Sequence, residues 1–101
     1  MEQNKQIAST ILSQLGGSKI SAFIGAKHFI AIENGLQINF KANSKNKSNV
    51  VRIILTPDDL YKVEFAYSRG MNYYVRSEFD GIYCDQLIEL FEKETGLFLH
   101  F

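Results

Sequence analysis

The sequence predicts an α+β domain, with a helix at each end of the chain, an antiparallel sheet of about five strands between them, and both helices packed on one sheet face. Three observations carry this. Ile7, Ala8, Ile11, Leu12 and Leu15 recur at three- and four-residue steps, which makes one apolar helical stripe. The middle of the chain is a series of short runs in which apolar and polar residues alternate, the period of a half-buried strand. Tyr83, Cys84, Leu87, Ile88 and Phe91 then restore a helical stripe. Strands joined by short turns, with helices only at the ends, favour α+β over a repeated strand–helix–strand plan.

The first helix is expected over Gln3–Leu15, ended by Gly16 in the left-handed conformation that suits a residue without Cβ. Leu15–Glu33 is the stretch on which the rest turns, because it leads from this helix into the sheet. Within it Ile20, Ala22 and Ile24 alternate with Ser21, Phe23 and Gly25; Gly25-Ala26 interrupts the pattern, and His28–Ile32 resumes it. Two short strands and one long kinked strand both fit. Asn34-Gly35 predicts a two-residue hairpin turn, since both residues tolerate positive φ. Leu36–Phe40 alternates cleanly, and Lys41–Asn49 reads as a long polar, basic hairpin loop. Val50–Thr56 is β-branched and apolar enough to be central in the sheet. Thr56-Pro57-Asp58-Asp59 is a turn. Tyr61–Tyr67 places Tyr61, Val63, Phe65 and Tyr67 on one face, with Lys62, Glu64 and Ala66 on the other. After a turn at Ser68-Arg69-Gly70, Asn72–Phe79 forms a last strand. Tyr73, Val75 and Phe79 are expected on its core face and Tyr74, Arg76 and Glu78 on the other. Asp80 is the expected N-cap of the final helix and Gly96 its terminator. The apolar tail Leu97–Phe101 is expected to pack on the sheet or to meet a partner.

The chain, residues 1–101, reads as a single domain, and its 46% hydrophobic residues are enough for a core. Eight Phe and five Tyr without Trp suit a sheet core. The single cysteine rules out an internal disulfide and fits a reducing compartment. No signal-peptide pattern and no apolar run of about 20 residues is present, which predicts a cytoplasmic protein with no membrane partner. The net charge is zero, yet the charges are unevenly distributed. Residues up to Pro57 hold seven bases and two acids, +5; those from Asp58 hold four bases and nine acids, −5. Such asymmetry can steer association with a charged partner or another copy; the plainer reading is two halves that neutralise each other when folded.

No catalytic constellation is visible, so a non-enzymatic protein without metal or cofactor is expected. His28 and His100 lack metal-ligand spacing. Cys84 falls on the helical stripe and reads as a buried thiol. Asp58-Asp59 serves a turn, and Gly16-Gly17 follows a helix where a phosphate loop precedes one. What remains is nucleic acid. Lys41, Lys45, Lys47 and Arg52 cluster on one hairpin among Asn43, Asn46, Ser48 and Asn49; lysine donates to phosphates, and asparagine reaches backbone or base edges. Tyr73-Tyr74 beside Arg69 and Arg76 offers rings and guanidinia for stacking. The plainer alternative is a solvated loop and a tyrosine-rich strand. A pI near 6.7 also argues against a dedicated DNA coat.

Leu15-Gly16-Gly17, Ile24-Gly25-Ala26-Lys27-His28-Phe29, Asn34-Gly35-Leu36, Val51–Pro57, Tyr61–Phe65, Arg69-Gly70-Met71 and Thr95-Gly96-Leu97 together form a pattern. It resembles a group of small uncharacterised proteins encoded by bacteriophages and mobile elements, over residues 11–97. The resemblance implies an intracellular viral or prophage protein with a host-takeover or nucleic-acid role, and no defined activity. Gly25-Ala26-Lys27 is its best-matched part, which adds Lys27 to the candidates. The expected site is therefore Lys27, Lys41, Lys45, Lys47, Arg52 and Tyr74, contacting nucleic acid. The alternative is a protein-interaction module, a homodimer or an inhibitor of a host protein, that uses the acidic C-terminal half and the apolar tail.

Overall fold

The computed structural model describes residues 2–15, 26–40 and 47–96. Helix α1 (Glu2–Gln14) is followed by β1 (Ala26–Ile32), β2 (Gly35–Phe40), β3 (Val50–Leu55), β4 (Tyr61–Arg69) and β5 (Asn72–Ile82). A single 3-10 turn (Cys84–Gln86) then leads into α2 (Leu87–Thr95). The strands form one sheet in chain order, each antiparallel to its neighbours, with β3 at the centre. This is the expected α+β fold, with a helix at each end of an antiparallel sheet, and the strand order makes the sheet a meander. Among the described residues no helix is long and apolar enough to cross a membrane.

Alternation places Leu36, Ile38 and Phe40 of β2, Val51 and Ile53 of β3, and Val63 and Phe65 of β4 in one buried cluster. Ile11 of α1, Leu15 just after it, and Leu87 and Phe91 of α2 join the same cluster, so both helices cover one face. Each such side chain contributes about 1.5–3 kcal/mol by leaving water. The Phe91 ring meets Phe40 edge-on at 5.7 Å and lies 6.2 Å from Phe65. The Tyr61 hydroxyl donates to Gln14 Oε1 at 2.9 Å, tying the end of α1 to the start of β4. Gly96 ends α2 as expected, with φ 72° and its N–H donating to the Glu92 carbonyl at 2.9 Å.

The first hairpin turns one residue earlier than its Asn-Gly pair suggests. Ile32 pairs with Gly35, so the two-residue turn is Glu33-Asn34, with Asn34 at φ 57°. Gly35 is needed for another reason: a Cβ there would lie 2.2 Å from the Ile53 carbonyl oxygen of β3.

β5 departs from a simple alternation because it carries two bulges. Two steps separate Val75 from Ser77, while only one step separates their partners Ala66 and Phe65, so Arg76 is extra. A second shift falls between the Tyr61–Ile82 and Val63–Phe79 pairs, where Gly81 takes φ 66°. An inserted residue changes which side the following residues face. Phe79 therefore packs against Phe65 at 6.2 Å, whereas Tyr73, expected beside it, lies on the opposite face with Glu64. Tyr74 pairs with Tyr67 and so stands on the helix-bearing side, the reverse of the expectation. The strand also consumes Asp80, which is therefore not the cap of α2. Tyr83 and Cys84 precede α2 and are exposed instead of buried in its stripe. The strand-to-helix link is closed instead by Gln86, whose Oε1 accepts from the Tyr83 N–H at 2.9 Å.

The glycine pair at 16–17, the strand reading of residues 19–25, the loop at 41–46 and the tail at 97–101 lie outside the described residues.

Candidate nucleic-acid interface

In a meander the turns alternate between the two ends of the sheet, and here that alternation sorts charge. One end holds the β1–β2 turn, the β3–β4 turn and the exit of β5, with Glu33, Asp58, Asp59 and Asp80. The other holds the start of β1, the β2–β3 connection and the β4–β5 turn at Gly70-Met71. Lys47, Arg69 and Arg76 belong to this second end, and no acidic residue occurs between residues 34 and 57 or between 65 and 77. The charge asymmetry of the sequence thus becomes an acidic and a basic end of one sheet.

The chain at 47–49 is fastened to the basic end by Asn49. Its backbone carbonyl accepts from the Phe40 N–H and its N–H donates to the Ala66 carbonyl, both at 2.9 Å. Its side-chain amide donates to the Ser68 carbonyl at 2.8 Å and accepts from the Ser68 N–H at 2.7 Å. The amide thus acts as one more rung of the β3–β4 ladder. Asparagine is the residue for this because its side chain carries the same donor and acceptor as a peptide group. Asn49, read from sequence as free to reach a base edge, is therefore already engaged. Lys47, two residues before Asn49 and at φ 60°, is exposed.

The β4–β5 hairpin supplies the aromatic component. Tyr67 and Tyr74 are cross-strand partners, as are Arg69 and Asn72 two pairs nearer the turn. The Arg76 guanidinium carbon lies 5.8 Å from the Tyr67 ring centre. Tyr74 is 51% exposed. Gly70 closes the turn at φ 60°. Sequence reasoning noticed the arginines and Tyr74 but not Tyr67, whose place follows only from pairing across the Gly70 turn.

Arg52 stands elsewhere. It belongs to a row that crosses the outer sheet face: Ile30, Gln37, Arg52, Glu64 and Glu78. Its Nε donates to Gln37 Oε1 at 2.8 Å, and Gln37 Nε2 donates in turn to Asn39 Oδ1 at 3.0 Å. Arg52 Nη1 is 4.0 Å from Glu64 Oε2, and its guanidinium lies 4.9 Å from the Tyr73 ring centre. The Tyr73 hydroxyl donates to Glu64 at 2.6 Å. Partial burial, then the bond to Glu64 and its charge, push the Tyr73 phenol up to about 12, against the opposing pull of Arg52. Beside this network Lys62 meets Glu78 at 2.5 Å, a bond that raises the lysine pKa. Arg52 thus has its charge answered by Glu64 and is separate from the basic end.

Of the remaining candidates, Lys27 is the extra residue of a β1 bulge, between the Ala26–Phe40 and His28–Asn39 pairs at the basic end. Lys41 and Lys45 lie outside the described residues. Elsewhere, a cavity of about 330 Å³ between α1 and the sheet is lined by Gln6, Ile7, Thr10, Leu55 and Tyr61, a set with no carboxylate, imidazole or thiol. No group of three or more metal-ligating side chains occurs among the described residues. In comparison with known proteins, the chain matches no family model, no curated protein and no solved structure.

Proposed function

We propose that this chain is a small non-enzymatic accessory protein, of the kind carried by bacteriophages and mobile elements, and that it binds nucleic acid at the basic end of its sheet. The observation that supports this is the segregation of charge: Lys47, Arg69 and Arg76 share one end with Tyr67 and Tyr74, and that end has no carboxylate in its strands. Such an end attracts a polyanion, and the paired Arg52 on the sheet face takes no part.

The test is binding of labelled single- and double-stranded oligonucleotides across a salt series. Three phosphate contacts give a slope of log affinity against log salt of about −2 to −3. The Lys47→Ala/Arg69→Ala/Arg76→Ala variant is expected to bind weakly with a nearly flat slope. Absence of salt-sensitive binding by the wild-type protein refutes the reading.

A second reading, contact with a host protein or with another copy, is favoured by the acidic end and by the exposed Tyr83 and Val75 on and beside the edge strand β5. Light scattering at low and high salt tests its self-association form. A dimer that disperses with salt supports it, and a monomer under both conditions counts against it.

A further inference from the structure

Resting on the nucleic-acid reading above, we infer that the basic end selects single strands, with Tyr74 as a stacking platform for an unpaired base and Arg69 and Arg76 holding the flanking phosphates. Tyr73 and Tyr74 are adjacent in sequence but differ in availability. Tyr73 is committed, with Arg52 over its ring and its hydroxyl on Glu64. Tyr74 stands on the other side of the hairpin and is 51% exposed beyond the reach of the helical core. Tyr67 is its cross-strand partner, and the guanidinium carbon of Arg76 lies 5.8 Å from the Tyr67 ring centre on the same face. β5 is the last strand of the sheet, so no further strand flanks the platform among the described residues.

Arg69 lies two residues from Tyr67 along β4, a spacing of about 6.8 Å, within reach of a neighbouring nucleotide. A base inside a duplex has both faces covered by its neighbours and offers only its edges. A solvent-facing ring can stack only on a base whose face is free, and every base has such a face once unpaired. The platform is therefore tolerant of sequence and selective for strandedness.

The experiment compares a fluorescein-labelled single strand of about 12 nucleotides, within the usual site size, with the matching duplex. Binding is read by anisotropy and by quenching of tyrosine emission, which no tryptophan obscures in this sequence. The expected result is single-strand preference, with Tyr74→Ala weakening the single-strand complex by about 5- to 150-fold. Tyr74→Phe should retain binding, and the salt slope of Tyr74→Ala should match wild type. Equal affinity for the two forms, or a loss below twofold in Tyr74→Ala, overturns the inference while leaving the basic end as a binding site. If neither form binds, the proposed function itself fails, and the inference with it.

Discussion

Replacing Asn49 by alanine is expected to loosen the basic end and to lower the stability of the whole domain. The side-chain amide makes two hydrogen bonds to the Ser68 backbone, at 2.8 and 2.7 Å, in a partly buried setting. A net contribution of about 0.5–1.5 kcal/mol per bond gives roughly 1–3 kcal/mol for the pair. In a domain of this size each kcal/mol corresponds to about 4–8 °C in melting temperature, so a mid-range loss is about 8–16 °C. Thermal unfolding followed by circular dichroism measures it directly. Lys47→Ala, two residues away and exposed, serves as the control and should stay within about 0.5 kcal/mol of wild type. Asn49→Ala should also weaken oligonucleotide binding more than Lys47→Ala does, because it releases the segment that holds the lysine. An Asn49→Ala protein melting within 2 °C of wild type would show that the amide rung contributes nothing, and the account of how Lys47 is positioned would fall.

Three other outcomes follow from the packing and the outer-face network. Gly35→Ala should lose about 1–3 kcal/mol in urea unfolding, since its Cβ would collide with the Ile53 carbonyl oxygen of the adjacent central strand at 2.2 Å. Phe91→Ala should lose about 3–5 kcal/mol by the same measurement, because it empties the space between Phe40 and Phe65 under α2. In Tyr73→Phe, the phenol step near pH 12 should disappear from an ultraviolet titration. The sign for stability follows from the raised phenol: its contribution is complete below pH 10, the unfolded value, and is lost as pH rises toward 12. The variant should therefore show a shallower fall in stability over that alkaline range.

The element order was legible because local pattern and tertiary demand agree over most of the chain. The Ile7–Leu15 stripe, the alternation from Leu36 to Phe40 and from Tyr61 to Tyr67, and the glycine at position 96 each have one good structural solution. Residues 72–86 did not read correctly, and the cause is physical. A strand reveals its buried face through a period of two, and each extra residue resets the phase. Arg76 has no property that marks it as a bulge, so Tyr73 and Tyr74 exchanged faces unnoticed. Asp80-Gly81 has the composition of a cap and turn, and only the continued pairing with β4 shows that the strand runs through it. At the candidate site, the basic character of the β2–β3 connection was visible, as were the arginines near Tyr74. Its assembly at one end was less so, because the charges were compared by halves of the chain when the meander sorts them by alternate turns. The commitments of Arg52 and Asn49 depend on partners 12 to 19 residues away, which no local pattern reports.

Because every strand pairs with its immediate neighbour in the chain, the sheet has no crossover and can zip outward from any one hairpin. The entropy of closing each such short loop is small, which places most of the folding cost in a late step. That step brings the two chain ends, α1 and α2, down onto the preformed strands, where Ile11 and Phe91 enter the same cluster. Substitutions in the helices should therefore speed unfolding more than they slow folding, whereas those in the β3–β4 hairpin should act on the folding rate.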